Sequence, residues 1–256
     1  MGEDIHTASL FGVQLQAANY ATTKAIVHDI IRLRRRPSAV VVQLNAFSLV
    51  TAQEDQAYRN AVSNADLVVP DGMPLVWLLR LRGNWNAERV YGPDLMLLLC
   101  EEASKRGWRC YLYGGQPGVP ELLKEKLTAR FPGLLIVGTL SPPFRALTPE
   151  EDQEFCAKIN SAQPDILWVA LGGPKQDTWM FEHRDRLKVP VMHGVGAAFD
   201  FLTGRIPQAP RWMMNAGLEW LFRLIMEPRR LWKRYTITNL KFLYYVVTRE
   251  IFRSKS

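Results

Sequence analysis

Ala39-Val40-Val41-Val42-Gln43-Leu44, followed at once by Asn45, is an apolar run with no polar alternation. A strand with one wet face alternates, whereas a continuous run implies cover on both faces, the habit of parallel strands in α/β proteins. Outward from it, similar runs recur at Leu67–Val69, Arg109–Tyr113, Leu134–Val137, Ile166–Leu171 and Val189–His193. Between them lie helix-like blocks at Ala52–Asn64, Leu75–Arg82, Pro93–Arg106, Val119–Arg130, Pro149–Asn160 and Gln176–Arg186. The alternation predicts a Rossmann-like α/β fold, a mainly parallel sheet flanked by helices. Thr148-Pro149-Glu150-Glu151 joins an N-cap, a proline at the first helical position and acid in the first turn, a strong helix start. Arg34-Arg35-Arg36-Pro37 could pass for a nucleic-acid contact, but cations before a proline also suit a helix C-terminus, and that reading is preferred.

At 256 residues, 48% hydrophobic and 22% charged, the chain can bury a large core and fits one domain with or without an appendage. Cys100, Cys110 and Cys156 form neither a metal pattern nor a disulfide framework, which fits a reducing cytosol. Met1–Leu10 does not read as a signal peptide, and no apolar run reaches the roughly 20 residues of a membrane span, so any membrane contact is expected to be peripheral. The pattern changes near Arg205, which suggests a core at 1–204 and an appendage at 205–256. Those last 52 residues hold 11 Lys and Arg against 3 Asp and Glu, a balance of +8 in a chain of net charge +7. They also carry nine aromatics, Phe252 among them, and Leu218, Leu221, Phe222 and Ile225 at helical spacing, with a break expected near Pro228. Such a segment suits an anionic lipid surface, or a solvated helical hairpin capping the core; composition leaves both open.

Ligands of open parallel sheets bind beyond the carboxyl ends of the strands. Here those exits offer Asn45, Asp71-Gly72, Gly114-Gly115, Gly172-Gly173 with Gln176, and Gly194-Val195-Gly196. Glycine pairs admit a phosphate close to backbone amides, so several turns could contact a nucleotide. A dinucleotide fingerprint is missing after the first strand, which leaves an oxidoreductase as the weaker reading, and no Walker loop occurs. Asp71 is placed either as a general base for a sugar hydroxyl or as an N-cap for the helix from Met73. With no D-x-D pair and with His6, His28, His183 and His193 dispersed, no metal is expected, and leaving-group charge would fall to tail cations such as Arg223, Arg229, Arg230, Lys233 and Arg234. A non-enzymatic basic lipid-binding module is the further alternative.

Seven ordered segments resemble the WecG/TagA/CpsF family of bacterial glycosyltransferases, glycosyltransferase family 26. They are Leu44-Asn45-Ala46, Pro70-Asp71-Gly72, Glu88-Arg89-Val90 with Gly92-Pro93-Asp94-Leu95-Met96, Tyr113-Gly114-Gly115, Leu171–Asp177, Gly194–Asp200 and Gly217–Arg223. The resemblance implies a metal-independent, inverting enzyme without a cofactor. It would move a sugar from a UDP-sugar to a polyprenyl-diphosphate-linked saccharide at the cytoplasmic membrane face, for cell-surface polysaccharide synthesis. Asp71 would be the base, Asn45 and Gln176 donor-sugar contacts, Arg89 the acceptor-facing residue, and Asp200 a uridine contact. Arg223 and Arg230, with Lys233 or Arg234, would reach the active site from a membrane-binding appendage. No nucleic-acid partner is expected, and homo-oligomerisation stays open. One departure is Gln43, where many relatives carry Thr two residues before the asparagine.

Overall fold

The structure, a computed structural model, describes residues 6–34 and 36–251; Arg35, Phe252 and the first five residues of the Met1–Leu10 segment lie outside them. In chain order the elements are β1 (Thr7–Leu10), β2 (Val13–Gln16), α1 (Tyr20–Leu33), β3 (Ala39–Leu44), α2 (Ala46–Glu54), α3 (Gln56–Ser63) and β4 (Leu67–Pro70). There follow α4 (Met73–Leu81), α5 (Gly92–Arg106), β5 (Arg109–Gly114), α6 (Val119–Arg130), β6 (Leu135–Leu140), α7 (Pro149–Ser161) and β7 (Ile166–Ala170). The run closes with α8 (Lys175–His183), β8 (Val191–Gly194), α9 (Ala198–Thr203), α10 (Arg211–Asn215), α11 (Glu219–Met226), α12 (Pro228–Tyr245) and a π-helical turn, Val246–Ile251.

Six strands form one sheet in the order β4-β3-β8-β7-β5-β6, every neighbouring pair parallel. The expected α/β architecture is thus present. Successive side chains of β3 point to opposite faces, and both faces are buried. Val40, Val42 and Leu44 join Val68, Tyr113, Val169 and residues of α2, α3, α4 and α8, while Ala39 and Val41 join Val69, Leu112, Trp168 and residues of α1, α5, α6 and α9.

One element escapes a reading based on apolar runs. β1 and β2 make an antiparallel hairpin whose turn, Phe11-Gly12, has positive φ at both positions (51° and 83°), the requirement of a type I′ turn. The hairpin guards the sheet edge, since the Gln16 side chain accepts a 2.7 Å hydrogen bond from the Val68 backbone N–H of β4.

The helix expected over Ala52–Asn64 is two helices, with the first beginning earlier. Asn45 caps α2 by accepting from Ser48 N–H at 3.0 Å, and Asp55 interrupts it at φ −116°, ψ 108°, capping α3 by accepting from Tyr58 N–H at 3.0 Å. The Thr148 helix start is a full capping box with Glu151. Arg34 closes α1 in the left-handed region, with Arg32 in the last turn, as the helix-end reading requires.

After Gly204 the chain runs back over the carboxyl ends of the strands. The expected helix break falls at Glu227, between α11 and α12. α12 packs against α2, and Phe242 enters the core with its ring 5.6 Å from that of Phe11. The other flank of the tail stays wet: Trp212, Trp232, Ile237, Leu240, Leu243 and Tyr244 are all exposed. Among the described residues no helix is long and apolar enough to cross a membrane.

Candidate active site

Because all six strands are parallel, their exits converge on one edge, and a cleft of about 530 Å³ opens there. Asn45, Asp71, Gly115, Gly172, Gln176 and Gly196 line one side, and Glu219, Arg223, Arg230 and Arg234 of the returning tail face them. Asp200 and Arg89 complete the wall. Most residues singled out in the sequence therefore meet at one place. Gly114 and the tail cations Arg229 and Lys233 are the exceptions and do not line the cleft. At φ 115° the α-carbon of Gly114 lies so near the neighbouring strand that a β-carbon would meet Ala170 O at 2.4 Å. This glycine permits close strand approach, and of the Gly114-Gly115 pair only Gly115 lines the cleft.

Asp71 leaves β4 with its side chain 18% exposed. It does not cap α4, whose N-cap is Gly72 with no side-chain hydrogen bond. Its Oδ1 instead accepts from Nε and Nη2 of Arg89, both at 3.2 Å. Burial raises the Asp71 carboxyl from 3.8 to about 6; Arg89 opposes the rise, and the Glu219 and Asp94 charges add to it. Arg89 is gripped from three sides. Besides Asp71, Glu219 accepts from its Nη2, and the Tyr91 ring lies under the guanidinium, 4.4 Å from centroid to Cζ.

The remaining lining is set by backbone chemistry. Asn45 spends Oδ1 on its cap, which leaves its amide NH₂ to the cleft. Gln176 is buried and accepts from Gly196 N–H at 2.9 Å, tying the exit of β8 to α8. Gly115 and Gly172 adopt φ 73° and 79°. Asp200 sits in the first turn of α9, 3.7 Å from Arg205. Gln43 also lines the cleft and donates to Val90 O at 3.4 Å. On the tail side, Arg234 lies 3.6 Å above the Phe47 ring. Arg223 lines the cleft with its guanidinium 5.8 Å from the Phe201 ring, and its Nε is buried without a hydrogen-bond partner.

Glu219 and Tyr91 went unrecognised in the sequence. Both fall within or beside quoted segments, but an acid in a basic tail reads as a surface charge, and a tyrosine after Val90 reads as core. Only the fold shows them at Arg89. The fold also draws Asp152, Cys156 and His183 together, with ligand atoms within 4.8 Å of one another, which their sequence spacing hides. None of the three lines the cleft. His183 Nε2 meets Asp152 at 2.7 Å, which ties α7 to α8, and Arg186 just beyond α8 donates to the same carboxylate at 2.5 Å.

Fold and cleft together define an α/β enzyme of the open-sheet type, its site beyond the carboxyl ends of the strands. Residues 8–256 match the Glycosyl transferase WecG/TagA/CpsF family model, and the chain belongs to that family, so it is a glycosyltransferase. It is 32% identical over 210 residues, 79% of each chain, to the N-acetylglucosaminyldiphosphoundecaprenol N-acetyl-beta-D-mannosaminyltransferase of Bacillus subtilis (strain 168). The resemblance drawn from the seven segments holds, and the oxidoreductase and non-enzymatic readings fall away.

Proposed function

We propose that the enzyme transfers an N-acetylhexosamine-type sugar from a UDP-sugar to a saccharide on a polyprenyl diphosphate, with inversion and without a metal, at the cytoplasmic face of the membrane. The observation that carries this is Asp71: a carboxylate at the cleft wall, raised to about 6, so that it is ionised at neutral pH yet basic enough to take a proton. The acceptor hydroxyl gives its proton to Asp71 as its oxygen attacks the anomeric carbon from the face opposite the leaving diphosphate. The anomeric C–O bond then breaks, and UDP departs with the electron pair. Arg223, Arg230 and Arg234 would balance the charge growing on the diphosphate, and their place in the cleft lining supports that role. Asn45 and Gln176 would hold the donor sugar, Gly115 and Gly172 the diphosphate, Asp200 the uridine, and Arg89 the acceptor. The acceptor class rests on the name of the similar Bacillus enzyme, which includes N-acetylglucosaminyldiphosphoundecaprenol.

A peripheral membrane seat is supported by the tail beyond Gly204, which carries exposed aromatic and aliphatic side chains beside exposed Arg229, Arg230 and Lys233. The test is a panel of UDP-sugars scored by thermal stabilisation, followed by turnover of Asp71→Asn. The preferred donor should raise the melting temperature of both forms. Transfer by the variant should fall about 10²- to 10⁴-fold, the usual worth of a general base. A variant that turns over like wild type, or a strict requirement for a divalent ion, overturns the proposal.

A further inference from the structure

Glu219 opens α11, and its carboxylate reaches the guanidinium of Arg89, a residue 130 positions away whose other acceptor is Asp71. Two carboxylates thus share one cation inside a cleft wall, and Arg89 Nη2 donates to both. We propose that Glu219 is a positioning residue: it divides the hydrogen bonding of Arg89 so that Asp71 is not fully neutralised, and it makes the state of that carboxylate depend on the tail being seated over the cleft. The proposal deepens the reading of Asp71 as base and rests on it.

The geometry carries the argument. Glu219 is 20% exposed and Arg89 13%, so solvent does not substitute freely for either partner. Tyr91 fixes the plane of the guanidinium from below, and it can neither slide away nor exchange partners without losing that contact. A second link seats the same tail segment, since Arg211 of α10 donates to both oxygens of Asp94 at 2.5 and 2.9 Å. The groups around Asp71 are then Arg89 and Tyr91 from the α4–α5 connection, Asp94 on α5 with Arg211 upon it, Tyr20 on α1, and Glu219 on α11. Arg223, Arg230, Arg234, Lys175, Asp177 and Asp200 line the same cleft. Within this set Glu219 and Asp94 push the Asp71 carboxyl up, and Arg89 pulls it down. Glu219 alone among them also occupies Arg89.

The experiment compares wild type with Glu219→Gln and Glu219→Asp, by rate against pH with UDP-sugar donor and by the ¹³C titration of the Asp71 carboxyl. Glu219→Gln keeps an amide oxygen that can accept from Arg89 but removes the negative charge, so the Arg89 charge is balanced by Asp71 alone. The acid limb and the Asp71 titration should both move down by about one pH unit, kcat at neutral pH should drop about tenfold, and donor KM should stay within about twofold. Glu219→Asp, which keeps the charge one methylene further back, should fall between the two. Melting curves check that each variant is folded; if Glu219→Gln is not, the part-way titration shift in Glu219→Asp carries the test. An Asp71 titration that does not move in a folded variant overturns the proposal, as does a loss of rate with an unmoved acid limb. The titration is read without turnover. If Asp71→Asn keeps its activity the base reading falls, while the shift still reports whether Glu219 holds Arg89.

Discussion

Asp71 stands near 6 because withdrawal from water penalises its charge more than Arg89 favours it. With the base active only when ionised, turnover should rise with pH along an acid limb centred near 6 and level off above it. The sign for stability is opposite. A carboxyl raised in the fold above its unfolded value contributes stability below about 4 that is lost as pH climbs through 6, a span of about two pH units or roughly 3 kcal/mol. Asp71→Asn should therefore be the more stable protein at pH 8 and lose that advantage at pH 4, as denaturant melts at both values would show. His193 works the other way. It is buried beside Trp168 with both ring nitrogens unpartnered, and burial lowers it to about 3. The unfolded chain takes up that proton from about pH 6.5 downward, so His193 costs stability progressively as pH falls to 3. His193→Leu should flatten the acid side of the stability profile, measured as urea midpoints at pH 7 and pH 4.

At the scale of elements, the cleft is built by helix starts and strand exits, and the same atoms often serve both fold and site. Asn45 is the clearest case, with one side-chain atom capping α2 and the other free toward the cleft. Asn45→Ala should cost about 1 kcal/mol of stability through the lost cap, whereas Asn45→Ser should keep it. Both should raise donor KM, which separates binding from capping. Gly114 serves the fold alone. Gly114→Ala drives a methyl into the Ala170 backbone at a positive φ, so it should leave little soluble protein, while a folded, merely donor-weakened variant would contradict the packing. The single helix expected over Ala52–Asn64 fails here for a local reason. A periodic pattern passes smoothly across Asp55, but the Asp55 side chain accepts from the Tyr58 backbone N–H and starts a new helix.

Across the whole molecule the tail has two unlike flanks. One carries Phe242 into the core and Glu219, Arg223 and Arg230 to the cleft; the other presents Trp212, Trp232, Leu240 and Tyr244 to solvent. Deleting the tail would remove both flanks, so the membrane seat is better tested on cations that do not line the cleft. Arg229→Ala with Lys233→Ala should weaken sedimentation with anionic vesicles by tenfold or more, at about 1 kcal/mol per charge, and the loss should shrink as salt rises. Turnover of a short, soluble acceptor should be unchanged. Equal vesicle binding by variant and wild type would make this flank a solvated cap.

Continuous apolar runs were enough to establish a parallel α/β sheet, and the exits of those runs named Asn45, Asp71, Gly115, Gly172 and Gln176, because in a parallel sheet every strand ends on the same edge. Short-range pattern also located the helix break near Pro228 and the helix start at Thr148. It could not reveal the hairpin, whose Phe11-Gly12 turn lacks the usual Asn-Gly mark. Nor could it tell that Asp71 pairs with Arg89 in place of capping α4, or that Gly114 faces a strand and not the cleft. Those outcomes, and the meeting of Glu219 with Arg89 across 130 positions, depend on where burial removes water and on which charges the fold brings within a few ångströms. Neither quantity is a property of neighbouring residues, and so only the tertiary structure decides them.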